Sequence, residues 1–560
     1  MAGSKKTAKS AKERLLVPKS GGGALGAVLV HPSSYAVGMS SLGYQIVWRI
    51  LNDAPGVYVE RAFADRRRGK APRTVESGRH VGDFDIVAFS LSYEPDAVNM
   101  CKFLRDAGIP LEGRKRHAAD PIVIAGGIAV TLNPEPYADF IDLFVVGEAE
   151  EALPELLERL SEFRSASRTR LLAEACAVPG VYAPRLYDVK YKGLEILERA
   201  PKREGLPERV RRRWIRDIDR YAAHSVFVAP QSEFGDMGLV EIARGCGRGC
   251  RFCAAGHIMR PPRYRSVKSL EADVEFLSSH FDCLGLVASS ATDHPKINEL
   301  LDMIKDRGPA VSFASLLVEG LSDRVLEAAA ERSKTLTIAP ETGTDRLRKV
   351  TNKKITNEEI ADAAYVAAAK GIKRIKMYFI VGLPNETGDD IAAIGELVRI
   401  VTAAGRKGKR NLEAVASVAP FVPKPHTPFG LHPMEDAKVL EARLAEVRGA
   451  VRKVPGATVR TESPTEAIFQ GILSRGDRRA GRIIRKVLEE NSIRRALRDL
   501  PQWATDTLYA RRTIDQPAPW SFIDDGIGDA CLIGEYHQGL LGRISPPCRP
   551  PKCNRCDACK

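Results

Sequence analysis

The chain has 560 residues, of which 44% are hydrophobic and 28% charged, and its formal net charge is +14. This length suffices for about three or four domains, and the absence of any apolar run of about 18 residues excludes a transmembrane helix. The Lys-rich N-terminus lacks the apolar segment of a secretory signal peptide. We therefore expect a cytoplasmic protein with no membrane partner, whose 11 cysteines are reduced thiols or metal ligands rather than disulfides.

The first 165 residues divide into a tail and a predicted α/β domain. Residues 1–23 are rich in Lys, Ser and Gly, which is typical of a disordered basic tail. In residues 24–165, short apolar runs alternate with helical segments, and this pattern predicts a doubly wound, Rossmann-like domain with a parallel sheet. The predicted strands are residues 26–32, 57–62, 85–91, 121–125 and 142–146.

Two of these strands end in candidate binding residues. Gly126 and Gly127 follow the fourth strand, and Gly147 and Glu148 follow the fifth. Ligands of parallel sheets bind at the carboxyl ends of the strands, where glycine lets the backbone approach a bulky group closely. Glycines at strand ends also occur in α/β domains that hold no cofactor, so a domain without a ligand is the alternative.

Residues 166–235 are predicted to be a connector with a basic stretch and no recognisable chemistry. Residues 236–432 then repeat strand and helix patterns six times. The predicted strands of this core are residues 238–243, 284–288, 311–314, 336–339, 374–381 and 413–418. Ser266 is the predicted N-cap of the first core helix.

A glycine-rich loop at the start of the core carries Cys246, Cys250 and Cys253 with the spacing C-x3-C-x2-C. Thiolates in such a loop are the usual ligands of an iron–sulfur cluster. Three ligands leave the fourth iron of a [4Fe–4S] cluster open to a group that is not protein. A zinc loop or plain buried thiols are the alternative, but a structural zinc site requires four ligands, and only His257 follows closely.

The phrase from Ala243 to Cys253, with Phe252 before the third cysteine, resembles the cluster loop of the radical S-adenosylmethionine (radical SAM) superfamily. The resemblance implies that SAM chelates the open iron and is cleaved reductively to a 5′-deoxyadenosyl radical that abstracts hydrogen. It also implies that Phe252 lies at the cofactor and that the six units form a partial (β/α)6 barrel, with chemistry at the carboxyl ends of the strands.

Further positions match radical SAM motifs in barrel order, and the resemblance marks them as SAM contacts. Ser289 and Ser290 stand where many relatives have a Gly-Gly-Glu motif at the SAM amino group, so this contact departs from the family pattern. Glu341 matches a polar residue that meets SAM, and Gly382 and Pro384 match a motif near the adenine. Taken singly, Gly382 and Pro384 also suit a tight turn, and Glu341 suits a helix N-terminus.

The N-terminal domain resembles the cobalamin-binding domain that precedes many radical SAM cores. The resemblance rests on the two glycine-bearing strand ends and on the segment from Asn133 to Asp142 between them. It marks Gly126, Gly127, Gly147 and Glu148 as cobalamin contacts. The motif Asp-x-His-x-x-Gly is absent from the sequence, so cobalamin is expected to bind without a histidine beneath the cobalt.

Residues 433–560 are predicted to form a mainly helical region that ends in four cysteines: Cys548, Cys553, Cys556 and Cys559. These cysteines suit either an auxiliary iron–sulfur cluster or a structural zinc ion, and both interpretations stay open. The order of all segments resembles that of bacterial B12-binding-domain-containing radical SAM proteins.

These patterns favour an enzyme that modifies an unreactive carbon by radical chemistry, with cobalamin as a candidate methyl carrier and a flavodoxin or ferredoxin as reductant. Its catalytic residues and its substrate are not identified by the sequence. One alternative is a methylthiotransferase-like enzyme that acts on tRNA or a ribosomal protein. Another is a basic iron–sulfur protein that binds RNA or ribosomes without catalysis, because the net charge of +14 favours an anionic partner.

Overall fold

The structure is a computed structural model that describes residues 12–19, 22–64, 71–314, 316–408, 412–513, 516–550, 553 and 555–559. Most of the predicted basic tail therefore lies outside the described residues. The prediction of disorder is wrong for residues 12–19, because Arg14–Leu15 (β1) pairs antiparallel with Phe227–Val228. Glu13 also forms an ion pair with the buried Arg61, with 2.5 Å between Oε1 and Nη2. This buried charge holds the segment in place.

The N-terminal domain contains one six-stranded sheet covered by helices. In chain order its elements are β2 (Leu25–His31), α1 (Tyr35–Met39), α2 (Leu42–Asp53), β3 (Val57–Phe63), β4 (Ile86–Ser90), α3 (Ala97–Asp106), β5 (Ile122–Gly126), α4 (Ile128–Leu132), β6 (Leu143–Val145), α5 (Ala149–Glu162), α6 (Arg168–Ala175) and β7 (Val181–Tyr182). The strand order is β3-β2-β4-β5-β6-β7, with only β7 antiparallel. This is a doubly wound order, and the five predicted strands form its parallel part.

The connector is a set of short strands that bridge the two ends of the chain. It contains β8 (Tyr187–Lys192), β9 (Glu195–Pro201), β10 (Val210–Arg211) and β11 (Phe227–Val228). The first two form an antiparallel hairpin. The third pairs in parallel with Ile523–Asp524, near the C-terminus.

The core begins with β12 (Gly238–Glu241), β13 (Ala243–Arg244), β14 (Arg263–Tyr264), α7 (Val267–Ser278), β15 (Cys283–Val287), α8 (Ile297–Asp306), β16 (Ala310–Phe313) and α9 (Asp323–Arg332). It continues with β17 (Thr335–Glu341), α10 (Asp345–Val350), α11 (Asn357–Ala369), β18 (Arg374–Val381), α12 (Gly388–Lys407), β19 (Glu413–Pro420), α13 (Ala437–Arg452) and β20 (Ala457–Thr461). Ser266 caps α7 as predicted, accepting from the Ser269 N–H. The barrel strands form two parallel sheets, β12-β15-β16 and β17-β18-β19-β20.

All six predicted core strands are present, but the predicted boundary at residue 432 is wrong. A seventh strand, β20, pairs in parallel with β19 over five residue pairs, from Ala414 with Ala457 to Val418 with Thr461. It follows α13 as one more helix–strand unit. The segment 457–461 alternates more and less exposed positions, as an edge strand does, and two of its five residues are β-branched threonines.

The remaining elements are α14 (Pro464–Arg475), α15 (Ala480–Glu490), α16 (Ile493–Ala496), α17 (Gln502–Tyr509), β21 (Ile523–Asp524) and α18 (Asp529–Leu540). This region packs against the carboxyl edge of the N-terminal sheet. The Asn133 side-chain amide donates to the carbonyls of Ser474 and Gly476, at 3.1 and 2.8 Å. Among the described residues, none of the helices has the length and apolarity needed to span a membrane.

Candidate functional site

The three cysteines of the glycine-rich loop lie between β13 and β14, at the carboxyl end of the first barrel strand. Gly245 has a φ of +77°, and a Cβ there would lie 2.3 Å from the Met259 carbonyl oxygen, so the loop requires glycine at this position. Cys246, Cys250 and Cys253 are half-buried free thiols. The fold thus places them where barrel enzymes of this architecture carry out chemistry.

The surroundings of these thiols favour a metal centre. Burial raises the pKa of Cys246 to about 11 and that of Cys250 to about 12, so both are neutral without a metal. Metal ligation requires thiolates, which only a cation can stabilise in such a place. Among the described residues, no three His, Cys, Asp or Glu side chains converge on one ion. Three thiols in one loop fit a cluster, in which each binds a different iron, better than a structural zinc site, which requires four ligands.

Polar groups without partners lie beside this loop at the end of β15. The side-chain oxygens of Ser290 and Thr292 are buried, and neither has a hydrogen-bond partner within the described part of the chain. Asp293 is not free for a ligand, because Arg248 donates to it at 2.9 Å. The predicted contacts Ser289 and Ser290 therefore lie at the barrel mouth, where the orphaned oxygens suit the polar groups of a bound amino acid moiety.

Glu341 ends β17 next to the cysteine loop. Its φ of +66° is unusual for a residue other than glycine, and its carboxylate lies 3.2 Å from the Lys353 ammonium. Burial raises the pKa of Glu341, although Lys353 opposes this shift. The alternative of a helix N-terminal charge is wrong, because α10 is capped by Thr344 and has Asp345 in its first turn.

The Gly-Leu-Pro motif after β18 has a structural reason as well as a functional match. Gly382 has a φ of +90°, and a Cβ there would lie 2.8 Å from the Leu440 side chain on α13. Its N–H donates to Glu386 at 2.8 Å, which closes the turn that also contains Pro384. Leu383 packs with Phe252 of the cysteine loop in a small apolar cluster. The structure thus brings this motif to the cysteine loop, and its contact with SAM stays a prediction.

The C-terminal tail docks on the cysteine loop, which the sequence did not predict. The Cys548 N–H donates to the Gly247 carbonyl at 2.7 Å. Arg251, whose side chain is fully buried, donates to the Arg543 carbonyl at 2.8 Å and to the Ser545 hydroxyl at 3.0 Å. Since these partners are almost 300 residues apart in sequence, only the folded chain shows that the predicted metal sites are neighbours.

The tail thiols share a cation from the core. Burial raises the pKa of Cys548 to about 11, while Arg260 opposes that rise. The Arg260 guanidinium lies 3.9 Å from the Cys556 sulfur. Cys531, which lies in α18 outside both cysteine motifs, lines the same cleft as Cys548, Cys553 and Cys556.

The predicted cobalamin contacts fall into two groups. A Cβ on Gly147 would lie 2.1 Å from the Arg213 carbonyl, and one on Gly127 would lie 2.5 Å from the Leu91 carbonyl, so protein packing explains both glycines. At Gly126 the nearest atom is 3.7 Å away, so no packing contact requires glycine there. Gly126 therefore leaves space at the carboxyl edge of the sheet.

Glu148 joins the two domains. Its carboxylate lies 3.1 Å from a guanidinium nitrogen of Arg244 and 2.7 Å from one of Arg263. All three side chains are less than a tenth exposed. Arg244 is two residues before Cys246. The carboxyl edge of the N-terminal sheet therefore meets the cysteine loop, and Glu148 is engaged in an ion-pair network rather than free for a cofactor.

One face of strand β18 carries accessible side chains. Along β18, the residues that pack on the helices are buried, whereas Lys376 and Tyr378 on the other face are accessible. The Lys376 ammonium donates to the Tyr378 hydroxyl at 2.7 Å. Tyr378 pairs with Ser417 across β19, and Ser417 pairs with the exposed Arg460 of β20. This row crosses β18, β19 and β20 on the face opposite the buried residues of β18.

Comparison with known proteins agrees with this arrangement. Residues 43–184 match the family model of radical SAM protein N-terminal regions, and residues 240–398 match that of the radical SAM superfamily. An uncharacterized protein of Methanocaldococcus jannaschii is 30% identical over 454 residues, which cover 80% of this chain and 88% of that protein. The ribosomal protein uS12 methylthiotransferase of Pseudothermotoga lettingae is 26% identical over 176 residues, which cover 29% of this chain and 41% of that protein.

Among solved structures, the fold is similar to that of the radical SAM methyltransferase TsrM of Kitasatospora setae, determined with cobalamin and a [4Fe–4S] cluster bound. The TM-score is 0.51 at 14% identity, over 83% of this chain and 99% of that one. The shared architecture is an α/β fold. The chain belongs to the radical SAM superfamily.

Proposed function

We propose that this radical SAM enzyme cleaves SAM reductively at a [4Fe–4S] cluster held by Cys246, Cys250 and Cys253, and that it uses cobalamin to methylate an unreactive carbon. The cluster supplies the electron for SAM cleavage, and cobalamin supplies a methyl carrier. The protein binds and orients the reactants. Ser290 and Thr292 offer unpaired hydroxyls to the amino acid part of SAM, and the Glu341–Lys353 pair lies at the adjacent strand end.

One observation supports the cobalamin proposal more than any other. The network of Glu148 with Arg244 and Arg263 joins the carboxyl edge of the N-terminal sheet to the cysteine loop. Ligands of doubly wound sheets bind at that edge, so a cofactor there would lie next to SAM. Gly126 offers the space, and its neighbour Gly127 shapes the turn.

We further propose that the tail cysteines hold a second metal centre, an auxiliary iron–sulfur cluster rather than zinc. Its support is the docking of Cys548 on Gly247 of the core loop. A centre at this place would lie close enough to the barrel mouth to bind substrate or to pass electrons. As metal ligands these thiols would be thiolates, and the metal would neutralise their charge.

Modification of RNA or of a ribosomal protein is the second candidate function. It is supported by the accessible Lys376 and Arg460 on one face of the sheet that contains β18 and β20, because cations there favour an anionic group on the substrate. Membership of an enzyme superfamily counts against a purely structural role. The reductant is proposed to be a flavodoxin or ferredoxin.

Anaerobic reconstitution with iron, sulfide and cobalamin tests the proposal. After gel filtration, we expect bound corrinoid absorption and, with SAM and a reductant, formation of 5′-deoxyadenosine. SAM cleavage without bound corrinoid would reject the cobalamin part alone and leave the second candidate. Retention of corrinoid without SAM cleavage would reject the radical mechanism.

A further inference from the structure

We infer that Cys531, and not Cys559, is the fourth thiol of the tail metal centre, together with Cys548, Cys553 and Cys556. The inference rests on the proposed second metal centre and names its ligands. It departs from the sequence motif, in which the four cysteines closest to the C-terminus form the set.

The arrangement of the side chains carries this assignment. One cleft is lined by Cys531, Cys548, Cys553 and Cys556, together with Arg260 and Gly249. Among the described residues of the tail, Cys559 is the cysteine that does not line the cleft. Four cysteines therefore line one cleft, although only three of them come from the motif.

The position of Cys531 is well anchored. It lies in the first turn of α18, where its N–H donates to the Gly528 carbonyl at 2.9 Å. One turn further, Glu535 pairs with the buried Arg251 of the cysteine loop at 3.2 Å. A ligand on a docked helix is held rigidly, and rigid placement favours metal binding.

The charge around the cleft agrees with a cluster of thiolates. Arg260 is only 8% exposed, and its guanidinium lies 3.9 Å from the Cys556 sulfur. Its Nε has no hydrogen-bond partner within the described residues. Arg555 is not available for this role, because it donates to the Pro546 carbonyl at 2.7 Å and pairs with Glu535. A buried cation beside the sulfurs offsets the negative charge of a ligated cluster.

The test compares Cys531→Ser with Cys559→Ser in a full-length chain that also carries Cys246→Ala, Cys250→Ala and Cys253→Ala. In this background all bound iron belongs to the tail centre, and the parent should hold about four irons per chain after anaerobic reconstitution. Iron and zinc are counted by mass spectrometry, and the rate of iron transfer to a chelator is measured. Thermal melting checks that each variant is folded.

We expect Cys531→Ser to lose its iron, or to release it at least about tenfold faster than the parent, because even loss of a residue that merely supports a ligand weakens metal binding by that factor. Cys559→Ser should behave as the parent. The reverse result, or equal behaviour of the two variants, would overturn the assignment while leaving the tail centre intact. A parent without any metal would overturn the tail centre itself. The same two substitutions in the otherwise unchanged chain cover the case that the triple variant does not fold.

Discussion

At the scale of single residues, Glu148 has the clearest role in joining the domains. Its side chain is less than a tenth exposed and lies between Arg244 and Arg263. Its carboxylate also accepts a hydrogen bond from the Ile215 N–H at 2.8 Å. Although burial raises its pKa, the two guanidinium groups hold the pKa of Glu148 below its ordinary value. The carboxylate is therefore ionised and stabilises the interface at neutral pH.

Glu148→Gln should lower the free energy of unfolding by about 3–5 kcal/mol, because it breaks a buried ion pair and leaves the arginines short of a partner. The matched control is Glu151→Gln. The Glu151 side chain is 39% exposed and pairs with Arg213, so this substitution should lower the free energy of unfolding by less than about 1 kcal/mol. Urea denaturation at pH 7 measures both. Equal losses for the two variants would contradict the role of Glu148.

The same pKa shift predicts a pH dependence of stability. A carboxyl whose pKa is lower in the folded state contributes stability above its unfolded pKa, which is 4.5 for Glu148. This contribution is lost as the pH falls from 4.5 through the folded-state pKa. The difference in stability between the wild type and Glu148→Gln should therefore shrink below pH 4.5. A difference that stays constant in acid would show that packing, not charge, carries the effect.

Gly126→Val tests the cobalamin site without disturbing the protein. A side chain at Gly126 meets only ordinary contacts, the nearest atom being 3.7 Å from the Cβ position, so the variant should fold and keep its core iron. It should lose bound corrinoid, since the valine fills the space at the strand end. Gly147→Val is the contrasting variant. The valine Cβ would lie 2.1 Å from the Arg213 carbonyl oxygen, so this substitution should destabilise the fold. Full corrinoid binding by Gly126→Val would place the cofactor elsewhere.

At the scale of elements, the tail and the cysteine loop form one unit. Ser545 donates through its N–H to the Asn352 side chain at 2.8 Å, and the same Asn352 donates to the Gly249 carbonyl at 3.1 Å. Together with the contacts of Arg251 and Cys548, this links residues 543–548 to the loop that holds the first cluster. Removal of the tail therefore affects more than the tail metal.

Two truncations separate these effects. A chain that ends at Cys548 keeps the docking segment, whereas a chain that ends at Gly542 loses it. The shorter chain leaves Arg251 without two of its acceptors. Each unsatisfied buried donor lowers the stability of the folded state by about 1–3 kcal/mol. Both chains should lose the tail metal. Only the chain that ends at Gly542 should lose iron from the core cluster faster than the wild type when a chelator is added, and only this chain should cleave less SAM. Equal stability of the core cluster in both chains would contradict the docking.

Much of the fold was predictable because its signals are local. The alternation of apolar runs with helical segments located the five parallel strands of the N-terminal sheet and the six predicted core strands. Strand β20 was missed because its segment is short and half-exposed, and pairing with β19 rather than hydrophobicity holds it in place. The docked tail and Cys531 were missed because their contacts join residues far apart in the sequence.

The candidate site shows the same limit. The cysteine spacing pointed to Cys246, Cys250 and Cys253 directly, whereas glycines at strand ends had more than one explanation. Gly147 is required by the Arg213 backbone rather than by a ligand. A sequence pattern cannot distinguish these causes, since both demand a residue without a Cβ.

At the scale of the whole molecule, the chain brings two carboxyl edges together and holds them with its C-terminal region. The N-terminal sheet meets the barrel through Glu148. The helical region contacts the N-terminal domain through Asn133 with Ser474, and the core through the Ser474 hydroxyl, which donates to the Pro423 carbonyl. The short strand β21 pairs with β10 of the connector. The carboxyl edge of the N-terminal sheet, the cysteine loop and the docked tail therefore lie next to one another.

The most direct test that the cysteine loop holds a cluster that cleaves SAM is the yield of 5′-deoxyadenosine. This yield is measured with the anaerobically reconstituted protein, with Cys250→Ala as the paired variant. We expect the wild type to bind about four irons at Cys246, Cys250 and Cys253 and to form 5′-deoxyadenosine when a reductant is added. Cys250→Ala should lose that iron and form none. Undiminished cleavage of SAM by Cys250→Ala, or no cleavage by a wild type that holds its full iron, would contradict the assignment of the cysteine loop.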